Sequence, residues 1–361
     1  KVPGYDVLGQ RSWYHVPCWG IPVRLLYRPR RGRCPECGIK VEAIPWSRGK
    51  SAVSVPLMVV VAVFARRLPW QDVGRLFGLH WNTVKAAVKH VVDYGLEHQE
   101  LNRVIHIGID ELSRRRGFTY VTMIYDLVSG DLLWTGDGRG KETLEQFFAE
   151  WGQERTEAIQ GICCDMWEPY IGVIREKAPD AVLVFDKFHV IQQLMKAVDE
   201  VRRQEAAEKG KEHKNLMKGT RYIWLKNPWN LTEKQRVRLS QLEKLNLKIN
   251  RAYLLKEQFR QFWDLPSLKE ARTFLQQWFW LATHSRLKPL RDFAWMLRRH
   301  ETHLLNYCEL NITAGRTEGM NRKAKIISQR CYGFRTFDTI RLAFYHCLGN
   351  LPMPTLTHKF V

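Results

Sequence analysis

Three apolar runs that each stop at an aspartate constrain this chain more than any bulk property: VIHIGID (104–110), GICCD (161–165) and VLVFD (182–186). Each apolar run has strand length, and the first is read as a strand over Val104–Ile109 that ends at Asp110. YVTMIYD (120–126) and GDLLWTGDG (130–138) follow as hairpin partners, and KETLEQFFAEWGQ (141–153) has a helical apolar stripe. Three antiparallel strands, a helix, a strand, a helix and a strand predict a mixed sheet with helices on its faces. Asp110, Asp165 and Asp186 are then expected along one edge of that sheet.

Carboxylates brought together repel, and the cost is removed when a cation neutralises them. Oxygen ligands suit Mg²⁺ or Mn²⁺, and two such ions about 4 Å apart clamp both the attacking and the leaving oxygen of a phosphodiester. Such a pair of sites needs a third acid. NITAGRTEGMNRKAKIISQR (311–330) offers Glu318 among Arg316, Arg322, Lys323, Lys325 and Arg330, a basic helix suited to a DNA backbone. The competing reading makes Glu318 a salt-bridged surface residue.

Charge points the same way. Lys and Arg number 57 against 37 Asp and Glu, a net charge of +20, which favours a polyanionic partner over a merely solvated basic surface. The most apolar run, PLMVVVAVFA (56–65), is about half of what a bilayer requires and ends in Arg66 and Arg67. No membrane partner is expected, and the location expected is the cytoplasm.

Five segments are expected: 1–50, 51–100, 101–190, 191–310 and 311–361. In the first, RCPECG sets Cys34 and Cys37 two residues apart, a knuckle that turns two thiolates toward one structural Zn²⁺. The other two ligands come either from His15 and Cys18 in HVPC or from a pair upstream of Lys1. In the second segment, PWQDVGRLFGLHWNTVKAAVKHVVDYG (69–95) reads as a helix-turn-helix with its turn at Gly78. Val84, Ala87 and Val88 form the inner face of its second helix, and Trp81, Asn82, Lys85 and Lys89 face a DNA duplex. A plain pair of helices in a larger core is the alternative.

Segment 191–310 reads as almost wholly helical, basic and rich in tryptophan. Its lysines suit phosphates, and Trp224 or Trp229 suits stacking on a base; the alternative is a bundle with tryptophans in its core. Arg330 and Arg335, flanking an aromatic stretch, are further DNA candidates. Asp186 and His189 in FDKFHV carry two readings, secondary active-site residues or a helix cap with a packed histidine. Cys163 and Cys164 are read as buried structural thiols. Cys308, Cys331 and Cys347 have no metal spacing.

The order Asp110, Asp165, Glu318 on this strand pattern resembles the ribonuclease H-like core of DDE transposases. RCPECG, the helix-turn-helix, IGIDE, CCDMWEPY, FDKFHV and GRTEGMNRKAKIISQRCYGFRTF together resemble the ISL3-type bacterial insertion-sequence transposases nearly throughout the chain. The resemblance implies a multidomain α/β protein: a ribonuclease H-like mixed-sheet core interrupted by an all-helical insertion and preceded by a zinc module and a helix-turn-helix. It implies Asp110, Asp165 and Glu318 as the catalytic triad, two Mg²⁺ or Mn²⁺ ions, and strand cleavage followed by strand transfer. Double-stranded DNA is the implied partner, as inverted-repeat ends and as target, held by a homodimer. Family members usually carry a further CxxC before the position of Lys1, which weakens His15 and Cys18 as ligands. Two other readings stand beside it: a structure-specific nuclease of the same fold, and a catalytically silent DNA-binding regulator.

Overall fold

The computed structural model describes residues 3–115, 119–208, 210–310, 315–331 and 333–355; the side chains of 114–115, 210–212 and 315–318 lie outside the described set. The chain forms two compact units. One comprises Lys1–Leu101, Asp131–Trp134 and Met320–Val361; the other comprises Asn102–Gly130 and Thr135–Gly319. The expected boundaries near 50, 100, 190 and 310 divide the chain more finely than this.

The N-terminal segment is a pair of small sheets. Strands β1 (Gly4–Val7), β2 (Arg11–Cys18), β3 (Ile21–Tyr27), β4 (Arg30–Cys34) and β5 (Gly38–Val41) arrange as β1-β4-β5 and as a separate β2-β3 hairpin. Trp13, fully buried, anchors the hairpin; its indole N–H donates to Ser47 Oγ at 3.0 Å. Three helices follow: α1 (Val55–Ala65), α2 (Trp70–Phe77) and α3 (Trp81–His98). α1 is rich in valine, a poor helix former in isolation, and burial of Val59, Val61, Ala62 and Ala65 overrides that preference. Ser54 caps it by accepting the Leu57 N–H at 3.4 Å.

Two glycines, one within α2 and one closing it, shape the passage from α2 to α3. Gly78 closes α2 in the left-handed region at φ 63°, and a Cβ on Gly74 would stand 2.6 Å from the Leu79 carbonyl oxygen. Val84, Ala87 and Val88 of α3 are buried, as the sequence pattern predicts.

The next five strands make one sheet: β6 (His106–Arg115), β7 (Thr119–Asp126), β8 (Leu132–Asp137), β9 (Gly161–Cys164) and β10 (Val182–Phe185). Their order across the sheet is β8-β7-β6-β9-β10. β6 and β7 are antiparallel, whereas β6, β9 and β10 run parallel. α4 (Lys141–Trp151), α5 (Gln153–Glu157) and α6 (Glu168–Lys177) provide the connections. The strand core holds Ile107, Met123, Ile124, Ile162 and Val184, all fully buried.

Helices then dominate: α7 (Lys187–Glu208), α8 (Gly210–Met217), α9 (Arg221–Leu225), α10 (Glu233–Glu243), α11 (Lys248–Arg260), α12 (Leu268–His284), α13 (Lys288–Arg299) and α14 (Glu301–Leu310). Their core is aromatic, built on Trp224, Phe259, Phe262 and Trp278. Two buried charges lock its geometry. Glu205 on α7, fully buried, accepts the Lys248 and Ile249 N–H groups at 2.8 and 2.9 Å, neutralising the positive N-terminus of α11. Lys256 on α11, 1% exposed, donates to the carbonyls of Trp224 and Lys226 at the C-terminal end of α9. The chain closes with α15 (Gly315–Arg330) and α16 (Phe337–Leu348). No described helix is long and apolar enough to cross a membrane.

Candidate active site and nucleic-acid surfaces

Three aspartates are drawn level by strand register. Gly108 pairs with Cys163, and Cys163 with Val184, across β6, β9 and β10. Two residues further along each strand direction stand Asp110, Asp165 and Asp186, on the same face by the two-residue period. β9 and β10 do end just before their aspartates. β6 does not: Asp110 pairs with Met123 in mid-strand, and β6 runs on to Arg115. The expected strand end at Asp110 is corrected accordingly. The antiparallel partner β7 carries β6 past the point where its parallel partner stops, so Asp110 still lies beyond the last β6–β9 pair.

Local backbone fixes each carboxylate. Asp110 Oδ1 accepts the Glu111 N–H at 2.7 Å, Asp165 Oδ1 the Met166 N–H at 2.6 Å, and Asp186 Oδ1 the Phe188 N–H at 2.9 Å. The last of these caps α7, which turns His189 back over the sheet edge. His189 Nδ1 lies 2.9 Å from Asp165 Oδ2; its Nε2 lies 3.7 Å from Asp186 Oδ2 and 3.9 Å from Asp110 Oδ1. In FDKFHV, Asp186 thus caps α7 and, with His189, stands at the acidic edge.

The electrostatics follow from this packing. Burial works against a charged His189, but the Asp165 hydrogen bond and the charges of Asp165, Asp186 and Asp110 overcome it and raise its pKa to about 9. Burial also opposes ionisation of Asp165. The His189 hydrogen bond and charge, the Met166 N–H and the Lys196 charge more than reverse that and hold it below the usual carboxylate range. Asp186 is pushed up to about 6, chiefly by burial, with Asp110 and Asp165 adding and the Phe188 N–H and His189 opposing.

Beside this edge is a group that the sequence pattern did not single out. Burial raises the Glu111 pKa, and Asp110 and Asp165 add to the rise, while a hydrogen bond with Tyr170 works against it. The Tyr170 hydroxyl also lies 3.1 Å from Thr122 Oγ1, which donates to the Gly138 carbonyl at 2.8 Å. The adjacent acid in IGIDE and the tyrosine five residues after Asp165 were the available signals. Cys163 and Cys164 are buried, and burial pushes the Cys164 thiol well up, as expected of structural thiols.

The basic helix is α15. Met320, Ala324 and Ile327 are buried, while Arg322, Lys323 and Lys325 are exposed. Position 318 lies within this helix, four residues before Arg322, but the side chains of Arg316 and Glu318 lie outside the described residues. Arg330 is half-buried, and its Nη1 donates to the Arg66 carbonyl at 2.9 Å, a tie within the fold. Arg335 is exposed and lines a cleft of about 750 Å³ with Arg75, Trp81 and Lys85. In that cleft Lys85 Nζ donates to Thr339 Oγ1 at 3.1 Å, and Trp81 packs 6.1 Å from Trp70, so neither simply faces solvent. Asn82 is exposed, and Lys89 is exposed and paired with Asp93 at 2.7 Å.

Cys34 ends β4, and the Cys37 and Glu36 N–H groups donate to its sulfur, holding its thiol pKa down. His15 and Cys18 belong to the other small sheet, where His15 Nδ1 lies 2.8 Å from Ser54 Oγ. Among the described residues no group of three or more His, Cys, Asp or Glu is arranged to hold a metal ion, so neither the expected zinc site nor a cation site at the aspartate edge is complete within them; the Glu318 side chain lies outside that set.

Comparison with known proteins decides the family. A family described as Transposase, the ISL3-type DDE group, matches residues 107–344, about two thirds of the chain. The chain belongs to this transposase family. It is 29% identical over 378 aligned positions to the transposase for insertion sequence element IS1557 of Mycobacterium tuberculosis, covering 98% of this chain and 85% of the relative. It is 28% identical over 329 positions to the transposase for insertion sequence element IS1001 of Bordetella parapertussis, covering 89% and 81%. The matched region of this transposase family contains the whole aspartate edge, His189 and α15.

Proposed function

We propose that this chain is the DNA transposase of an insertion sequence, binding the inverted-repeat ends of its element and catalysing strand cleavage and strand transfer. The observation that carries the reading is the level placement of Asp110, Asp165 and Asp186 at the edge of β6, β9 and β10, in a chain of this family. The strand order β8-β7-β6-β9-β10 supports a ribonuclease H-like core, because its middle strand is the first in sequence and its parallel pair the last.

The donor chemistry of this edge fits divalent cations. It offers carboxylate oxygens, and the protonated His189 among them supplies part of the positive charge that such a cluster requires. Asp110, Asp165 and Glu318 are the residues that would hold Mg²⁺ or Mn²⁺. When bound, two such ions stabilise the attacking and leaving oxygens of an in-line phosphodiester displacement.

The chain's own groups do the rest. His189 keeps Asp165 ionised and oriented by holding one oxygen while Met166 N–H holds the other. Tyr170 orients Glu111 behind Asp110. Arg322, Lys323 and Lys325 grip phosphates along α15, and α2 and α3 act as a helix-turn-helix that presents Asn82 and Lys89 to the duplex. Pairing of two element ends calls for a homodimer.

The test is a labelled duplex carrying the element end, incubated with Mg²⁺ or with chelator, and sequencing of the product termini. Mg²⁺-dependent cuts at the end and joined products, lost in Asp110→Asn, Asp165→Asn and Glu318→Gln, are expected. Cutting without joining would make the protein a nuclease of this fold; specific binding without cutting would make it a regulator.

A further inference from the structure

We propose that a cleft of the helical insertion beside Asp186 receives one unstacked nucleobase of the DNA substrate. The inference rests on the DNA reading above and adds a site to it. The cleft has a volume of about 800 Å³, within the range of small-molecule sites, and reaches from Asp186 and Phe188 at the start of α7 to Asn227, Trp229 and the end of α11.

Its walls are aromatic and its edges carry amides. Trp229 is 66% exposed in a short 3-10 turn, Pro228–Asn230, with the Arg260 guanidinium 4.4 Å from its ring centre. That cation holds the indole without covering most of it. Phe188 is 47% exposed on the facing element, and Lys187 Nζ lies 5.5 Å from the ring centre of Trp263. The carboxamides of Gln192, Asn227 and Gln261 line the same space. A base is flat, neutral and bears donors and acceptors on its edge, which matches aromatic faces and carboxamides.

A phosphate fits less well. The lining holds Asp186, Glu257 and Asp264 against Lys187 and Arg260, and Arg260 is already engaged by Glu257 at 3.3 Å. The position gives the site its use. Asp186 lines the cleft and is level with Asp165, so a strand with its phosphate at the acidic edge can place an adjacent base in the cleft.

The test uses the full chain in chelator, so that no cutting occurs, and measures anisotropy of a labelled blunt duplex and of the same duplex ending in one unpaired nucleotide. The protein is expected to prefer the unpaired end by about tenfold, the scale of one base stacked on an aromatic ring. Trp229→Ala and Phe188→Ala should abolish the preference without changing affinity for the blunt duplex. Trp229→Phe should keep part of it, and Trp280→Ala, at a 61% exposed tryptophan on α12, should keep all of it. Equal affinity for both duplexes, or a preference that survives Trp229→Ala, overturns the inference and leaves the transposase reading standing. Failure to bind either duplex overturns both.

Discussion

His189 Nδ1 lies 2.9 Å from Asp165 Oδ2, and this contact between the first turn of α7 and the end of β9 organises the acidic edge. Replacing His189 with Gln removes the cation from among three carboxylates. In chelator the variant is expected to melt at lower temperature than the parent near pH 7, and millimolar Mg²⁺ should recover more of the loss in the variant than in the parent. The sign with pH is fixed by a folded pKa near 9 against the unfolded 6.5. The stabilisation is fully present below about 6.5 and is lost as pH rises through 9. Thermal denaturation across pH 6–9 checks this; a slope unchanged in His189→Gln would dismiss the contact as a stabilising one.

His346 on α16 makes the opposite case. It is 2% exposed, neither ring nitrogen has a hydrogen-bond partner among the described residues, and burial with the charges of Arg66 and Arg330 pushes its pKa down to about 3. The folded state keeps it neutral while the unfolded state takes up a proton below about 6.5. Stability is therefore lost as pH falls, by about 2 kcal/mol at pH 5. His346→Leu should flatten the denaturant midpoint between pH 5 and 6.5 and leave the midpoint at pH 8 little changed.

Gly74 tests the turn between α2 and α3. A Cβ there would meet the Leu79 carbonyl oxygen at 2.6 Å, a backbone atom that cannot swing aside. Gly74→Ala should cost about 1–3 kcal/mol through overpacking, and Gly78→Ala, at φ 63°, about 1 kcal/mol through strain. Urea midpoints measure both. If the two helices read DNA, Gly74→Ala should also weaken duplex binding under conditions where it stays folded.

What could be read in the sequence depended on how local the cause was. The ends of β9 and β10 were legible because four apolar residues stop at an acid, and short buried strands leave no other pattern. The reach of β6 past Asp110 was not, because its cause is the pairing of Glu111 and Leu112 with Thr122 and Val121 on β7. Trp224 and Trp229 sit five residues apart in the same basic stretch, yet one is fully buried and the other 66% exposed. What separates them is tertiary: Trp224 packs against Tyr253 of α11, ring centres 5.7 Å apart, whereas Trp229 meets the Arg260 guanidinium 4.4 Å from its ring centre. Lys85 and Arg330 show the same limit: their partners, Thr339 and the Arg66 carbonyl, lie 254 and 264 positions away.

The last prediction separates the acid of α15 from its bases. Arg322 and Lys325 are exposed on a helix whose opposite side buries Met320, Ala324 and Ile327, so removing either charge leaves the packing intact. If they bind phosphates, Arg322→Ala and Lys325→Ala should each weaken duplex binding whatever the sequence. Each should also reduce the slope of log affinity against log salt by about 1. Glu318→Gln removes no cation and should leave both affinity and slope unchanged while abolishing Mg²⁺-dependent cutting. Anisotropy titrations between 50 and 200 mM salt, paired with the cleavage assay, separate the two roles. A Glu318→Gln protein that still cuts would place the third acid elsewhere, with Glu111, already beside Asp110, the next residue to substitute.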